Sequence, residues 1–257
     1  MPEPEYLTFS LYGMMASWGD IAVGEYRPTA DHPTRSAVLG LLAAALGIRR
    51  DEEERLAALT RAYKVAIRVD APGMLLRDYH TTQVPSAAKK GRQYLTRKDE
   101  LAAPREVLNT ILSTRDYRCD AVYRVYIWCR DTAPPYSLKT LAEHLQHPVF
   151  TLYLGRKSCP LALPVNPEVK TAPDLLTALS EEREIELRFL GRVPGNRDSN
   201  VRAYWDCTEG IQAEGTSVRN DESLNRRRWQ FGRRDEEYAM IRIVTGGEQH
   251  ADKQNPT

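Results

Sequence analysis

The segment YLGRKSCPLALP, Tyr153 to Pro164, sets a glycine, two cations, a serine, a cysteine and a proline in six consecutive positions, 155 to 160. Three chemistries fit such a set. GRKS resembles the end of a phosphate loop, Cys159 beside two cations could be a nucleophile or a metal ligand, and a strand end bearing Arg156 and Lys157 could grip a polyanion. The phosphate loop fails on spacing. It needs G-x-x-x-x-G-K-[ST], whereas Arg156 separates Gly155 from Lys157 and Phe150 stands where the first glycine would be. A nucleophilic cysteine needs a base and an orienting group, and Pro160 with the apolar LALP that follows turns the thiol inward. Cys159 therefore reads as packing. The collar asks only for cations and backbone amides at a strand end, and Arg156 and Lys157 are expected to face phosphates.

Other side chains invite the same questions. His80, in RDYHTTQ, is the best general acid or base, with Tyr79 beside it and Asp78 to orient it. Tyr79, His80 and Lys89 together would make a metal-independent ribonuclease, but nothing in their spacing favours catalysis over packing. Trp18, in SWGD, lies in a polar loop where it could stack on a base. Arg27 and Arg35 bracket PTADHPT, and Arg35 opens a helix whose dipole and free amides also favour an anion. No paired-carboxylate pattern, H-E-x-x-H or C-x-x-C is present, and the four cysteines are scattered, so neither a metal nor a cofactor is expected.

The net charge of +1 excludes nothing, but its distribution is informative. No acidic residue lies between Asp78 and Asp99, while Lys89, Lys90, Arg92, Arg97 and Lys98 all do. A second cluster, RRRWQFGRR, runs from Arg226 to Arg234 around Trp229 and Phe231. Arginine suits both phosphate forks and base stacking. The longest apolar run, 37–48, is too short to span a bilayer, and no signal-peptide order opens the chain, so a cytoplasmic protein without membrane contact is expected.

These residues need a scaffold. YLTFSLYG alternates, with Leu7, Phe9 and Leu11 facing one way, and predicts a half-buried strand. TRSAVLGLLAAALGI predicts a helix with Thr34 as N-cap and Gly47 at its end. Residues 61–70 and 120–129 read as strands, 137–146 as an amphipathic helix capped by Ser137, and 148–155 as a fourth strand. The stretch 81–98 lacks periodicity, as a functional insertion would. Beyond Pro164, residues 183–193 and 236–246 read as strands of a smaller β-rich part. The order predicts an α+β fold, a ferredoxin-like, RRM-like βαββαβ domain over 1–160 with a basic insertion, followed by a β-rich part over 161–257.

SWGD with RPT, HPTRSAVLGLLAAALGI, RDYHT, RDYRCDAVYRV, YLGRKSCPLALP and RRWQFGRR occur in this order along most of the chain. Together they closely resemble the CasD family, the 5′-handle-binding subunit of the type I-E CRISPR complex Cascade. The resemblance implies a non-catalytic subunit that grips the crRNA 5′ handle, caps a backbone of CasC copies, helps to seat the large subunit CasA, and meets target DNA only through the complex. It implies a thumb over roughly 82–115, which is the basic insertion. By position it implies RNA contacts at Arg115 and Tyr117, and it supports those at Arg27, Arg156 and Lys157. Trp18, Arg35, Tyr79, His80, Lys89, Lys90 and Arg92 complete the expected RNA-facing set. The enzymatic alternative is a chain that itself cuts the CRISPR repeat RNA.

Overall fold

The computed structural model describes residues 3–86, 94–130, 132–181, 200–207, 211–225, 228 and 230–243. Lys89, Lys90, Arg92, the strand expected over 183–193, and Arg226, Arg227 and Trp229 lie outside the described residues. Strands are β1 (Glu5–Tyr12), β2 (Met15–Ala16), β3 (Tyr26–Arg27), β4 (Tyr63–Ala71), β5 (Met74–Pro85), β6 (Leu108–Cys119), β7 (Val122–Cys129), β8 (Glu168–Thr171), β9 (Asn200–Asp206), β10 (Gly215–Asn225) and β11 (Gln230–Arg242). Helices are α1 (Arg35–Ala45), α2 (Glu53–Ala62), α3 (Arg97–Leu101), α4 (Leu138–Gln146) and α5 (Leu175–Ser180). Among the described residues no helix is long and apolar enough to cross a membrane.

The main sheet runs β10-β11-β9-β4-β7-β1-β8. Its last four strands, with α1 and α4, are the antiparallel ferredoxin-like unit. Thr34 Oγ1 accepts from Ala37 N to start α1, and Ser137 Oγ does the same for α4 through Thr140 N. Leu7, Phe9 and Leu11 of β1 meet Val38 and Leu42 of α1 and Leu141 of α4 in one core. The opposite sheet face, which an RNA-recognition module leaves open for stacking, is covered. There Tyr6, Tyr126 and Trp205 pack with Leu175 and Leu179 of α5. Arg68 Nη1 donates to the carbonyls of Leu179 and Glu181 at the end of α5, at 2.6 and 2.8 Å, holding the cover down.

Two expectations need correction. Residues 148–155 are not the fourth strand. Val149 N and Phe150 N donate to Ala45 O and Ala44 O, satisfying carbonyls that α1 leaves open at its end. Donors engaged there cannot build a ladder, and β8 takes the fourth position instead. The described ends of the basic insertion are not without structure either, since 81–85 belong to β5 and 97–98 to α3. β5 and β6 pair without interruption from Met74↔Cys119 to Pro85↔Leu108, forming a long two-stranded thumb. It leaves the sheet at Gly73, whose φ of +62° and 2.3 Å Cβ-to-Cys119 O approach exclude any side chain.

β9 to β11 extend the same sheet and are tied to α1 by a buried ionic network. Arg35 is 3% exposed, and its Nε donates to Asp206 Oδ2 at 2.9 Å. Arg234 reaches Asp206, Asp221 and Glu236 at 3.0, 2.9 and 2.8 Å. His32 lies 2.9 Å from Glu236 and 2.6 Å from Asp31, with its ring stacked 3.7 Å from that of Tyr204. Burial alone would lower the pKa of His32, but the two carboxylates outweigh it and hold the imidazolium above its ordinary value of 6.5. A raised folded-state pKa contributes stability that is complete below the unfolded pKa and fades as pH rises through the folded value. Thermal melts from pH 6 to 9 are therefore expected to show a decline above about pH 6.5 that His32→Gln abolishes; an equal decline in that variant would refute the assignment.

Candidate nucleic-acid interface

The collar is built by one glycine. Gly155 has φ +81°, and a Cβ there would lie 1.9 Å from Ser17 O, so only glycine lets 153–160 close against the loop after β1. Ser17 N donates to Leu154 O at 3.0 Å and Ser17 Oγ to Asp116 O at 3.1 Å, joining collar, loop and thumb base. Leu154 N donates to Cys159 O and Cys159 N to Arg156 O, which makes a tight loop around the two cations. Cys159 is fully buried, and burial pushes its thiol pKa up. The thiol packs inward, as Pro160 and the LALP segment predict.

Arg156 extends from this loop across the base of the thumb. Its guanidinium carbon sits 4.8 Å from the centre of the Tyr117 ring, and Nη2 donates to Arg27 O at 3.3 Å. β3 runs parallel to β6 with Arg27 beside Arg115, and Arg115 stands opposite Asp78 of β5. Because paired residues share a face, Arg27, Arg115 and the Tyr117–Arg156 pair lie on one side of the thumb base. Lys157 is exposed next to them. Arg27 Nη1 donates to Gly24 O at 2.6 Å, fixing its own loop.

Other expected residues sit differently. Trp18 is 0% exposed, edge-on to Tyr123 with centroids 5.6 Å apart, so it cannot stack on a base; its side chain enters the core while the loop from Gly19 to Arg27 stays exposed. Arg35 does not face a phosphate, since its donors are taken by the protein's own Asp206, Glu222, Thr60 O and Tyr63 O. Tyr117 is buried and supports Arg156 rather than a base. Tyr79 and His80 are consecutive on β5 and project to opposite faces, so the thumb separates the acid–base pair of the enzymatic alternative. His80 Nε2 rests against the Asp78 carboxylate. Among the described residues no three His, Cys, Asp or Glu side chains gather where they could hold a metal.

Sequence reasoning missed Tyr26, Arg77 and Asp116. Tyr26 Oη donates to Asp116 Oδ2 at 2.6 Å, and Arg77 Nε donates to Asp116 Oδ1 at 3.0 Å. These bonds from Arg77 lead in holding the Asp116 carboxyl below its ordinary range despite its burial. The signal was present: RDY occurs twice, at 77–79 and 115–117. Antiparallel pairing of the two copies sets Arg77 opposite Asp116 and Asp78 opposite Arg115.

Comparisons with known proteins place the chain in a family. The family model described as CRISPR-associated protein (Cas_Cas5) matches residues 6–236. The CRISPR system Cascade subunit CasD of Escherichia coli (strain K12) is 36% identical over 168 residues, 62% of this chain and 69% of that protein. A chain of a CRISPR RNA-guided surveillance complex superposes with a TM-score of 0.63 at 26% identity, covering 93% of this chain and 90% of its own length. A Cas protein crystal structure, at 22% identity and a TM-score of 0.56 over 94% of this chain and 98% of its own, shares the fold. With the family model running from the first strand to β11, the chain belongs to the CRISPR-associated Cas5 family, with Cascade CasD among its relatives.

Proposed function

We propose that this chain is a non-catalytic, crRNA-binding subunit of a Cascade-type surveillance complex, and that its collar and thumb base grip the 5′ handle of the guide. The observation that carries this reading is Arg156. It lies over Tyr117 and is bonded to the backbone of Arg27, which gathers Arg27, Arg115 and Lys157 on one side of a projecting hairpin. Cations at a fixed spacing hold a phosphate backbone and position it, while bases are left to stacking and edge contacts. The thumb over 82–115 reaches from the fold towards CasC backbone subunits, CasA docks beside it, and target DNA is met only through the assembled complex. Such a complex works in the cytoplasm.

Single-strand binding by cations releases counterions, with a slope of about −0.7 per phosphate contact in log affinity against log salt. The Arg156→Ala/Lys157→Ala double variant is expected to retain crRNA less well and to flatten that slope by about 1.4. An unchanged slope and unchanged retention would remove the collar from the interface.

A further inference from the structure

The far edge of the main sheet ends in a basic turn that the collar does not involve. From Ser223 to Arg234 the chain has no acidic residue and five arginines, Arg226, Arg227, Arg228, Arg233 and Arg234. The structure sorts the three that are described. Arg234 faces inward and is engaged by Asp206, Asp221 and Glu236. Arg233, its neighbour in β11, points to the other face of the strand. Arg228 and Arg233 are exposed, and among the described residues neither side chain has an ion pair or a hydrogen bond.

The turn is held in place and stands far from the collar. β10 and β11 close at Asn225↔Gln230, and Asn225 Oδ1 accepts from Arg228 N at 2.8 Å, which fixes the main chain of Arg228. β9 runs antiparallel to both β4 and β11, so those two strands share a direction. Val69, Arg202 and Met240 form one row across them, close to where β4 ends at Ala71 and the thumb begins. Gln230 stands ten residues before Met240 on β11. At about 3.3 Å per residue, the turn lies about 33 Å along the sheet from that row. Thumb base and basic turn therefore occupy opposite ends of the sheet.

We infer that this turn is a second nucleic-acid site, in which Arg228 and Arg233 bind the phosphodiester backbone of a nucleic acid other than the RNA in the collar. Charge on an edge strand guards against stray pairing. Arg228, however, stands in the turn, outside the ladder, where there is no pairing to block. All five cations of the segment are arginine, whose planar fork matches a phosphate, and Trp229 and Phe231 are interleaved with them in the sequence. Arginine mixed with aromatic residues suits a nucleic acid better than an acidic protein surface. Phosphate contacts carry no sequence information, so the turn accepts any sequence. The collar and the turn act independently.

The test titrates the full-length chain with a short DNA duplex and with a short single-stranded RNA, at salt concentrations between about 50 and 200 mM. Each cation that meets a phosphate contributes about 0.9 to the salt slope on a duplex and about 0.7 on a single strand. Arg228→Ala/Arg233→Ala is therefore expected to reduce the slope by about 1.8 on duplex DNA or about 1.4 on RNA. On the duplex, the fall in affinity across that salt range becomes about tenfold smaller. The probe that changes identifies the nucleic acid. Arg228→Lys/Arg233→Lys retains the slope, and both variants melt with the wild type. An unchanged slope on both probes would overturn the inference. So would a lowered melting temperature, which would assign the two arginines to the fold. Arg156→Ala/Lys157→Ala, measured alongside, keeps the two sites apart. A loss in that variant alone leaves the collar standing and removes the turn; a loss in the turn variant alone does the reverse.

Discussion

Arg35→Ala is expected to lower the unfolding free energy by about 3–5 kcal/mol, the loss typical when one partner of a buried ion pair is removed. The side chain is 3% exposed and has three kinds of partner: Asp206 at 2.9 Å, Glu222 at 3.2 Å, and the carbonyls of Thr60 and Tyr63 at 2.6 and 2.9 Å. Asp206 accepts from Val65 N at 3.0 Å as well, so the network links α1, β4 and the C-terminal strands. Truncation leaves a buried and a half-buried main-chain carbonyl, Tyr63 O and Thr60 O, without these donors and strands part of the charge on Asp206. Arg35→Lys is expected to recover little, because a single ammonium cannot reach carboxylate and carbonyls together as a planar fork does. Denaturant unfolding of both variants measures this. A change below about 1 kcal/mol, the range of an exposed ion pair, would mean that Arg35 is free to serve RNA after all.

Gly155→Ala is expected to detach the collar. The added Cβ would overlap Ser17 O at 1.9 Å, and a φ of +81° disfavours any L side chain by about 1–2 kcal/mol even without a neighbour. The main chain must move, taking with it the Ser17 N to Leu154 O bond and the placement of Arg156 over Tyr117. Hydrogen exchange at Ser17 N should quicken, and RNA affinity should fall at least as far as in Arg156→Ala while the sheet remains folded. Wild-type exchange at Ser17 with undiminished RNA binding would show that the collar does not depend on this contact.

The ferredoxin-like strands β1, β4 and β7 were legible from the apolar residues on the face that meets α1 and α4; that α5 buries the other face too was not. Helices α1 and α4 were legible from their caps, Thr34 and Ser137. A thumb was expected over 82–115, but its two strands were not, because both of their faces are largely wet and a strand without a buried side shows no apolar alternation. α2 also escaped notice: Leu56, Leu59 and Ala62 give it only a thin apolar stripe, packed on the end of α1.

Within the site, Arg156 and Lys157 could be picked out because charge beside glycine and proline is a local pattern. Arg35 and Trp18 were misplaced for the opposite reason. Their partners, Asp206 and Tyr123, lie more than a hundred residues away. No local rule assigns a buried partner at such a distance. The paired RDY copies belong between these cases: each is unremarked alone, and their meaning comes from the register that sets them opposite each other.

The central claim is that the guide's 5′ handle lies on the collar side of the thumb base. It is tested most directly by placing 4-thiouridine in the handle of a crRNA assembled with this chain and its partner subunits, irradiating, and mapping the crosslinked peptides. The account predicts adducts in the segments holding Arg27, Arg115 and 153–160. Adducts confined to the C-terminal strands or to the outer helices, or none on this chain, would contradict it.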